Sequence, residues 1–259
     1  MTEERAQTTL ADYRRVLALQ NSQGQAFVVV GGQAANVWGD FYLEAEPGIA
    51  EFMPLTSKDL DVLGDTADLY NIARELNTSP IRSEPGGPSP VVGVVEFVTP
   101  SGTRTRIEVL YATYGLNNKD LLDDVAEVWN PELGLRVRLP HPLACLKAKT
   151  HNVARLSQEK RQDLKHLKVL LLCNRAFLRD VLDQAERSQV SERAAVNPLE
   201  ALFRFTQTRI AREAAAKYNL NWAEAFPLKE LLATKLARVR SFMQKRFAKV
   251  FPTCVQTTP

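Results

Sequence analysis

Asp59 and Asp61 stand two residues apart in "KDLDVLG". In a strand, alternate side chains share a face, so both carboxylates point the same way while Leu60 and Val62 point into a core. Adjacent carboxylates repel unless solvent or a cation relieves them. A hard divalent cation with oxygen ligands does so; a solvated strand face does so more often. Glu108, in "TRTRIEVLYAT", is a third acid between apolar residues Ile107 and Val109. Such a carboxylate is costly in a sheet unless paired or metal-bound. If its strand neighbours the Asp59–Asp61 strand, the three acids converge on a site for one or two magnesium ions. Ions held there would align a triphosphate for in-line attack. The competing reading pairs Glu108 with Arg104 or with Arg106, which shares its strand face.

A phosphate wall would lie next to such a site. "FVVVGGQAANVWG" runs a valine strand into Gly31 and Gly32 and then a helical pattern. A strand-to-helix turn presents backbone N–H groups, the helix N-terminus favours anions, and glycine permits close approach and positive φ. An ordinary tight turn needs no ligand. Thr56, Ser57 and Lys58, just before the acids, offer hydroxyl and ammonium contacts to phosphate, or a plain surface role.

The elements that must position these residues follow from periodicity. A helix-like segment covers roughly Thr2–Leu19, a buried strand Phe27–Val30, and a helix the residues after Gly32. Leu43–Ser57, with Pro47, Gly48 and Pro54, reads as a loop or insertion. "DLDVLG" is a strand, and "TADLYNIARELN" a helix with Thr66 as its cap. "VVGVVEFVTPSGTRTRIEVLYAT" is a hairpin turning at Ser101-Gly102. A helix at Leu121–Val128 and a strand "LRVRL" follow. From Pro140 the pattern changes to long helices, the last spanning Leu228–Val250.

The series Val30-Gly31-Gly32, Asp59-Leu60-Asp61 and Glu108 resembles the nucleotidyltransferase superfamily. Within it the chain looks most like the abortive-infection type, several of which are toxins of toxin–antitoxin pairs. The resemblance implies an α+β fold: a mixed β-sheet with flanking helices, followed by an all-helical part. It implies a nucleoside triphosphate as donor, magnesium, and an acceptor such as transfer RNA or protein. It also implies a lysine on one late helix and an aspartate on the next, matched here by Lys147 and Asp163, and an antitoxin protein as a partner. The stretch between Gly32 and Asp59 exceeds the family spacing, so residues 40–56 must loop out.

Charge divides the chain. Residues 1–140 hold 11 Lys and Arg against 20 Asp and Glu, and residues 141–259 hold 22 against 10. This suggests two domains, an acidic one, 1–140, which the resemblance makes the catalytic one, and a basic helical one, 141–259. In "HPLACLKAKTHNVARL", Lys147, His151 and Arg155 form one polar stripe able to grip triphosphate or RNA, or simply to face solvent. Lys149 lies about 200° away from Lys147 around the helix. Asp163 could position a lysine, take a proton or contact a metal, or be half of an intrahelical pair. The last helix carries basic residues suited to nucleic-acid phosphates, without a base-reading motif. Three widely spaced cysteines, Cys145, Cys173 and Cys254, disfavour zinc and disulfides. No run of 18 apolar residues occurs. The expectation is a cytoplasmic protein that spans no membrane. The alternative to an enzyme is a non-catalytic protein of the same fold that binds nucleic acid or a partner, its pocket blocked by the insertion.

Overall fold

The computed structural model describes residues 7–84, 89–116, 121 and 125–252. Three short strands of the first half carry the site: β1 (Val28–Val30), β2 (Leu60–Leu63) and, after a longer passage, β5 (Arg104–Leu110). With β3 (Ile81–Arg82), β4 (Val91–Val98), β6 (Val125–Asn130) and β7 (Leu135–Pro140) they form one seven-stranded sheet. Its order is β3-β4-β5-β2-β1-β7-β6. The sheet is mixed: β2 runs parallel to β5 and antiparallel to β1, and β1 runs parallel to β7.

Alternation along these strands decides which face is core. Leu60, Val62, Ile107, Val109, Val29 and Val95 are buried and belong to the main apolar cluster. Val28, Val30, Leu110 and Leu121 form a separate small cluster on the other side of the chain's pleat. The acids of β2 and β5 lie on that second face, beside it.

Helix α1 (Arg14–Leu17) follows a 3-10 turn at Leu10–Tyr13, inside the expected Thr2–Leu19 helix; the residues before Gln7 lie outside those described. Helix α2 (Gly31–Tyr42) starts at the glycine pair, as the pattern suggested. Helix α3 (Thr66–Glu75) is capped by Asp65 rather than Thr66. The Asp65 carboxylate accepts from the Ala67 and Asp68 amides, and Asp68 answers through the Asp65 amide, a capping box that a threonine one residue later cannot make. The hairpin at Ser101-Gly102 is present, with Gly102 at φ +84. The helix expected at Leu121–Val128 is corrected at its second half, where Val125–Val128 opens strand β6; β-branched residues pairing with β7 override the helical spacing.

The second half is helical: α4 (Pro142–Arg155), α5 (Asp163–Glu186), α6 (Glu192–Thr206), α7 (Arg209–Tyr218), α8 (Leu228–Ala233) and α9 (Ala237–Phe242). The single helix expected over Leu228–Val250 is broken. It stops at Ala233, resumes at Ala237, and widens into a π-turn at Met243–Phe247. Phe242, Phe247 and Phe251 cluster with Phe203 and Phe226, and that aromatic packing sets the register. The main cluster is continuous through both halves, from Val29 to Phe247. Among the described residues no helix is long and apolar enough to cross a membrane.

The insertion folds away from the sheet's acidic face. Pro47–Phe52 forms a 3-10 turn whose Ile49 is buried in the main core. Glu46, itself buried, is bound by Arg175 and Arg179 of α5. That anchor holds the stretch against the helical half.

Candidate functional site

The decisive register is between β2 and β5. Asp61 is the direct Cα partner of Glu108, and on its other side of Val30. Parallel pairing puts both side chains on one face, as the alternation predicted. Asp59 precedes β2 by one residue and joins them there. All three line a cavity of about 480 Å³ together with Gly31, Gly32, Ser57, Lys58, Lys149 and Asp163. Nothing from residues 40–56 lines it, so the insertion does not block it.

Gly31 stands at φ +67, where the chain turns from β1 into α2. A Cβ there would lie 1.8 Å from Asp61 Oδ2. A Cβ on Gly32 would meet Ser57 Oγ at 2.4 Å and His166 Cε1 at 2.9 Å. The glycines are therefore required by close approach of Asp61 and Ser57. Val30, the residue before α2, gives no side-chain cap, so the first amides of the helix are left for another acceptor.

The loop carrying Ser57 and Lys58 is held from below. Ser57 and Thr8 exchange backbone hydrogen bonds of 2.7 and 3.0 Å. The Thr8, Tyr13 and Thr105 hydroxyls form a chain with 2.8 Å links, and the Thr105 hydroxyl donates to the Lys58 carbonyl. Burial pushes the Tyr13 hydroxyl up to about 12, so it stays protonated and able to donate.

The helical half contributes differently from expectation. Lys147 and His151 do not line the cavity; His151 packs against Gly115 beside it, and Arg155 of the same stripe pairs with Glu213 of α7. Lys149 is the lysine that enters, because it shares its helix face with Cys145 and Asn152, both cavity-lining. A lysine four residues after an apolar cysteine was the available signal: charge on an inward face is either paired or functional. Lys149 is paired. Its Nζ donates to Asp163 Oδ1 at 2.7 Å, and Arg161 Nε donates to Asp163 Oδ2 at 2.6 Å. Burial alone would raise the Asp163 carboxyl; Lys149 and then Arg161 overturn this and hold it well below the usual carboxylate range. Asp163 begins α5, and in place of an intrahelical pair it takes these two cations.

His166, one turn along α5, is buried and lines the same cavity. Its Nε2 lies 3.3 Å from the Thr56 carbonyl, which can only accept, so Nε2 carries the proton. Burial, then the charge of Lys149, lowers its pKa to about 3, so the ring is neutral near pH 7. Its Nδ1 is buried without a partner among the described residues.

Two of the acids are neutralised internally. Arg106 pairs with Glu108 and reaches Asp59 at 3.6 Å. Asp61 has no hydrogen bond or ion pair among the described residues. Burial first, then Asp59 and Glu108, push its carboxyl well above the usual range, against the weaker pull of Lys149 and Arg106. An uncompensated carboxylate beside two others fits a hard divalent cation in kind. In arrangement, no group of three or more His, Cys, Asp or Glu side chains among the described residues is set to hold a metal. The guanidinium of Arg106 occupies two of the three acids instead.

No protein-family model and no curated protein matches the chain. Among solved structures, an antigenic nucleotidyltransferase-like protein from Paracoccidioides brasiliensis is similar, with a TM-score of 0.40 and 13% identity over 74% of this chain and 95% of that one.

Proposed function

We propose that the chain is a nucleotidyltransferase that moves a nucleotide from a nucleoside triphosphate to an acceptor hydroxyl. The observation that carries this reading is the in-register pair Asp61 and Glu108, with Asp59, facing a cavity at the uncapped N-terminus of α2.

The roles follow from chemistry. The α2 amides at Gly31 and Gly32, with Ser57 and the Lys58 ammonium, receive phosphate oxygens. Lys149 and Arg161, fixed by Asp163, add positive charge from the helical half. Asp59, Asp61 and Glu108 are the side chains that would hold magnesium, one ion or two, which would supply neutralising charge to the transferring phosphoryl group. The acceptor oxygen bonds to the α-phosphorus, the bond to the bridging oxygen breaks, and diphosphate leaves. The acceptor's proton passes to one of the three carboxylates. RNA such as transfer RNA, held by the basic helices, or a protein serves as acceptor. The activity fits a toxin restrained by an antitoxin protein, acting in the cytoplasm where the triphosphate is supplied.

Incubation of the full chain with magnesium and each labelled nucleoside triphosphate, against total cell RNA and protein, reports donor and acceptor together. Label transfer that disappears in the Asp59→Ala, Asp61→Ala double variant is the expected result. Undiminished transfer in that variant overturns the mechanism.

One observation favours a second reading, a binding protein without catalysis. Arg106 already satisfies two of the acids that would hold metal. That reading predicts nucleotide binding without transfer.

A further inference from the structure

Arg106 and Glu108 sit two residues apart on β5 and share a face, and the guanidinium bridges from Glu108 toward Asp59. Arg106 also lines the cavity. An arginine cannot shed its charge under ordinary conditions, so this cation leaves the acids only by moving. While it stays, lone pairs that a metal needs are engaged and a second positive charge stands where the ion would enter.

We propose that Arg106 is a resident counter-cation that competes with divalent metal for Asp59 and Glu108, so that metal loading requires its displacement. This rests on the reading of Asp59, Asp61 and Glu108 as the metal-binding acids. Asp61, which Arg106 does not pair, is the first ligand open to an incoming ion. The displaced guanidinium has somewhere to go. Glu96 on β4 is the direct cross-strand partner of Arg106 and is exposed. Cross-strand partners share a face, so the side chain can exchange one set of acids for another without crossing the sheet. The cavity that Arg106 lines offers a second destination, any phosphate held near Lys58 and Lys149.

The test uses the full chain without nucleotide. Free Mn²⁺ is followed by electron paramagnetic resonance, and Mg²⁺ binding by calorimetry. Arg106→Gln binds either ion at least tenfold more tightly than the natural protein, and the gain is lost when Asp61→Asn is added. Arg106→Lys, which keeps the charge, recovers less than half of that gain. Equal affinity of Arg106→Gln and the natural protein overturns the proposal, as does a gain that survives Asp61→Asn. Should Arg106→Gln fail to fold, the natural protein answers alone. The Nε–H resonance of Arg106, identified by its loss in Arg106→Lys, shifts on Mg²⁺ titration if the guanidinium is displaced; a stationary resonance overturns the proposal. A chain that gains metal affinity in Arg106→Gln yet transfers no nucleotide refutes the proposed activity and leaves this inference standing.

Discussion

The carboxylate of Asp61 occupies the space that a side chain on Gly31 would fill, with Oδ2 1.8 Å from the position of a Cβ. Gly31 also has φ +67, in the left-handed region. Gly24 shares that conformation at φ +74 but has nothing within 4 Å of its Cβ position. The pair separates backbone strain from steric conflict. Gly24→Ala should cost about 1 kcal/mol for the backbone alone. Gly31→Ala should cost roughly 2 kcal/mol more, because Asp61 is fixed by its strand and cannot step back. Urea denaturation of both variants measures the difference, and equal losses would show that Asp61 moves freely.

Asp61 itself should be a source of instability. Its carboxyl is pushed up by burial and by two neighbouring acids. A carboxyl raised in the folded state binds protons more readily there than in the unfolded chain. Its charge therefore costs stability at neutral pH, and acidification through the raised value removes that cost. Asp61→Asn should stabilise the metal-free fold at pH 7. The advantage should shrink as pH falls and vanish below the ordinary value near 3.8. Thermal melts from pH 8 to pH 4 check this; a destabilised Asn variant at pH 7 refutes it.

Lys149 and Asp163 make the opposite case, an internal pair in which both side chains are almost fully buried. Removing one partner strands a charge. Asp163→Ala should cost about 3–5 kcal/mol, since Lys149 would retain no counter-ion on α5. Lys149→Met should cost less, because Arg161 still pairs Asp163. The double variant should cost clearly less than the two losses added together. Strict additivity in a denaturation cycle would mean the two groups act independently.

The acid cluster was legible because period two is a strong local rule. Alternation around Asp59, Asp61 and Glu108 put them on one face, and the only unknown was whether their strands were neighbours. The register of β2 with β5 supplies that. The helical contributions were harder. Lys147 and Lys149 differ by two residues, so type and position do not choose between them; only the packing of α4 on α5 and α7 turns Lys149 inward. Helix ends and breaks were hidden for the same reason. The π-turn at Met243–Phe247 serves contacts with Phe203 and Phe226, far away in sequence. The cap at Asp65 was locally readable and was displaced by a neighbouring threonine of similar propensity.

His166 should give acid sensitivity through the opposite type of group. Its folded pKa lies at about 3, below the ordinary 6.5, because burial excludes the charged ring. The unfolded chain takes up a proton below 6.5 that the folded chain refuses. Stability should therefore fall as pH drops from 6.5 toward 3, by up to about 1.4 kcal/mol per unit. His166→Gln removes the titration and should flatten this slope relative to the natural protein, while Asp61 titrates equally in both. Parallel slopes would mean that water already reaches the ring.

Glu46 decides whether the long stretch before the acids stays out of the cavity. It is buried, and Arg175 and Arg179 converge on its carboxylate. Both arginines are about a quarter to a third exposed, so water screens part of what they lose when Glu46 is removed. Glu46→Ala should cost about 2–3 kcal/mol, less than a fully enclosed pair. The local effect should exceed the global one. Ile49 still anchors the 3-10 turn to the core, but Glu44–Met53 loses the ion pairs that join it to α5. Proteolysis after Phe52 should speed up several-fold at temperatures where the rest of the chain remains folded. If cleavage there is unchanged, Ile49 alone fixes the stretch and Glu46 contributes only to bulk stability.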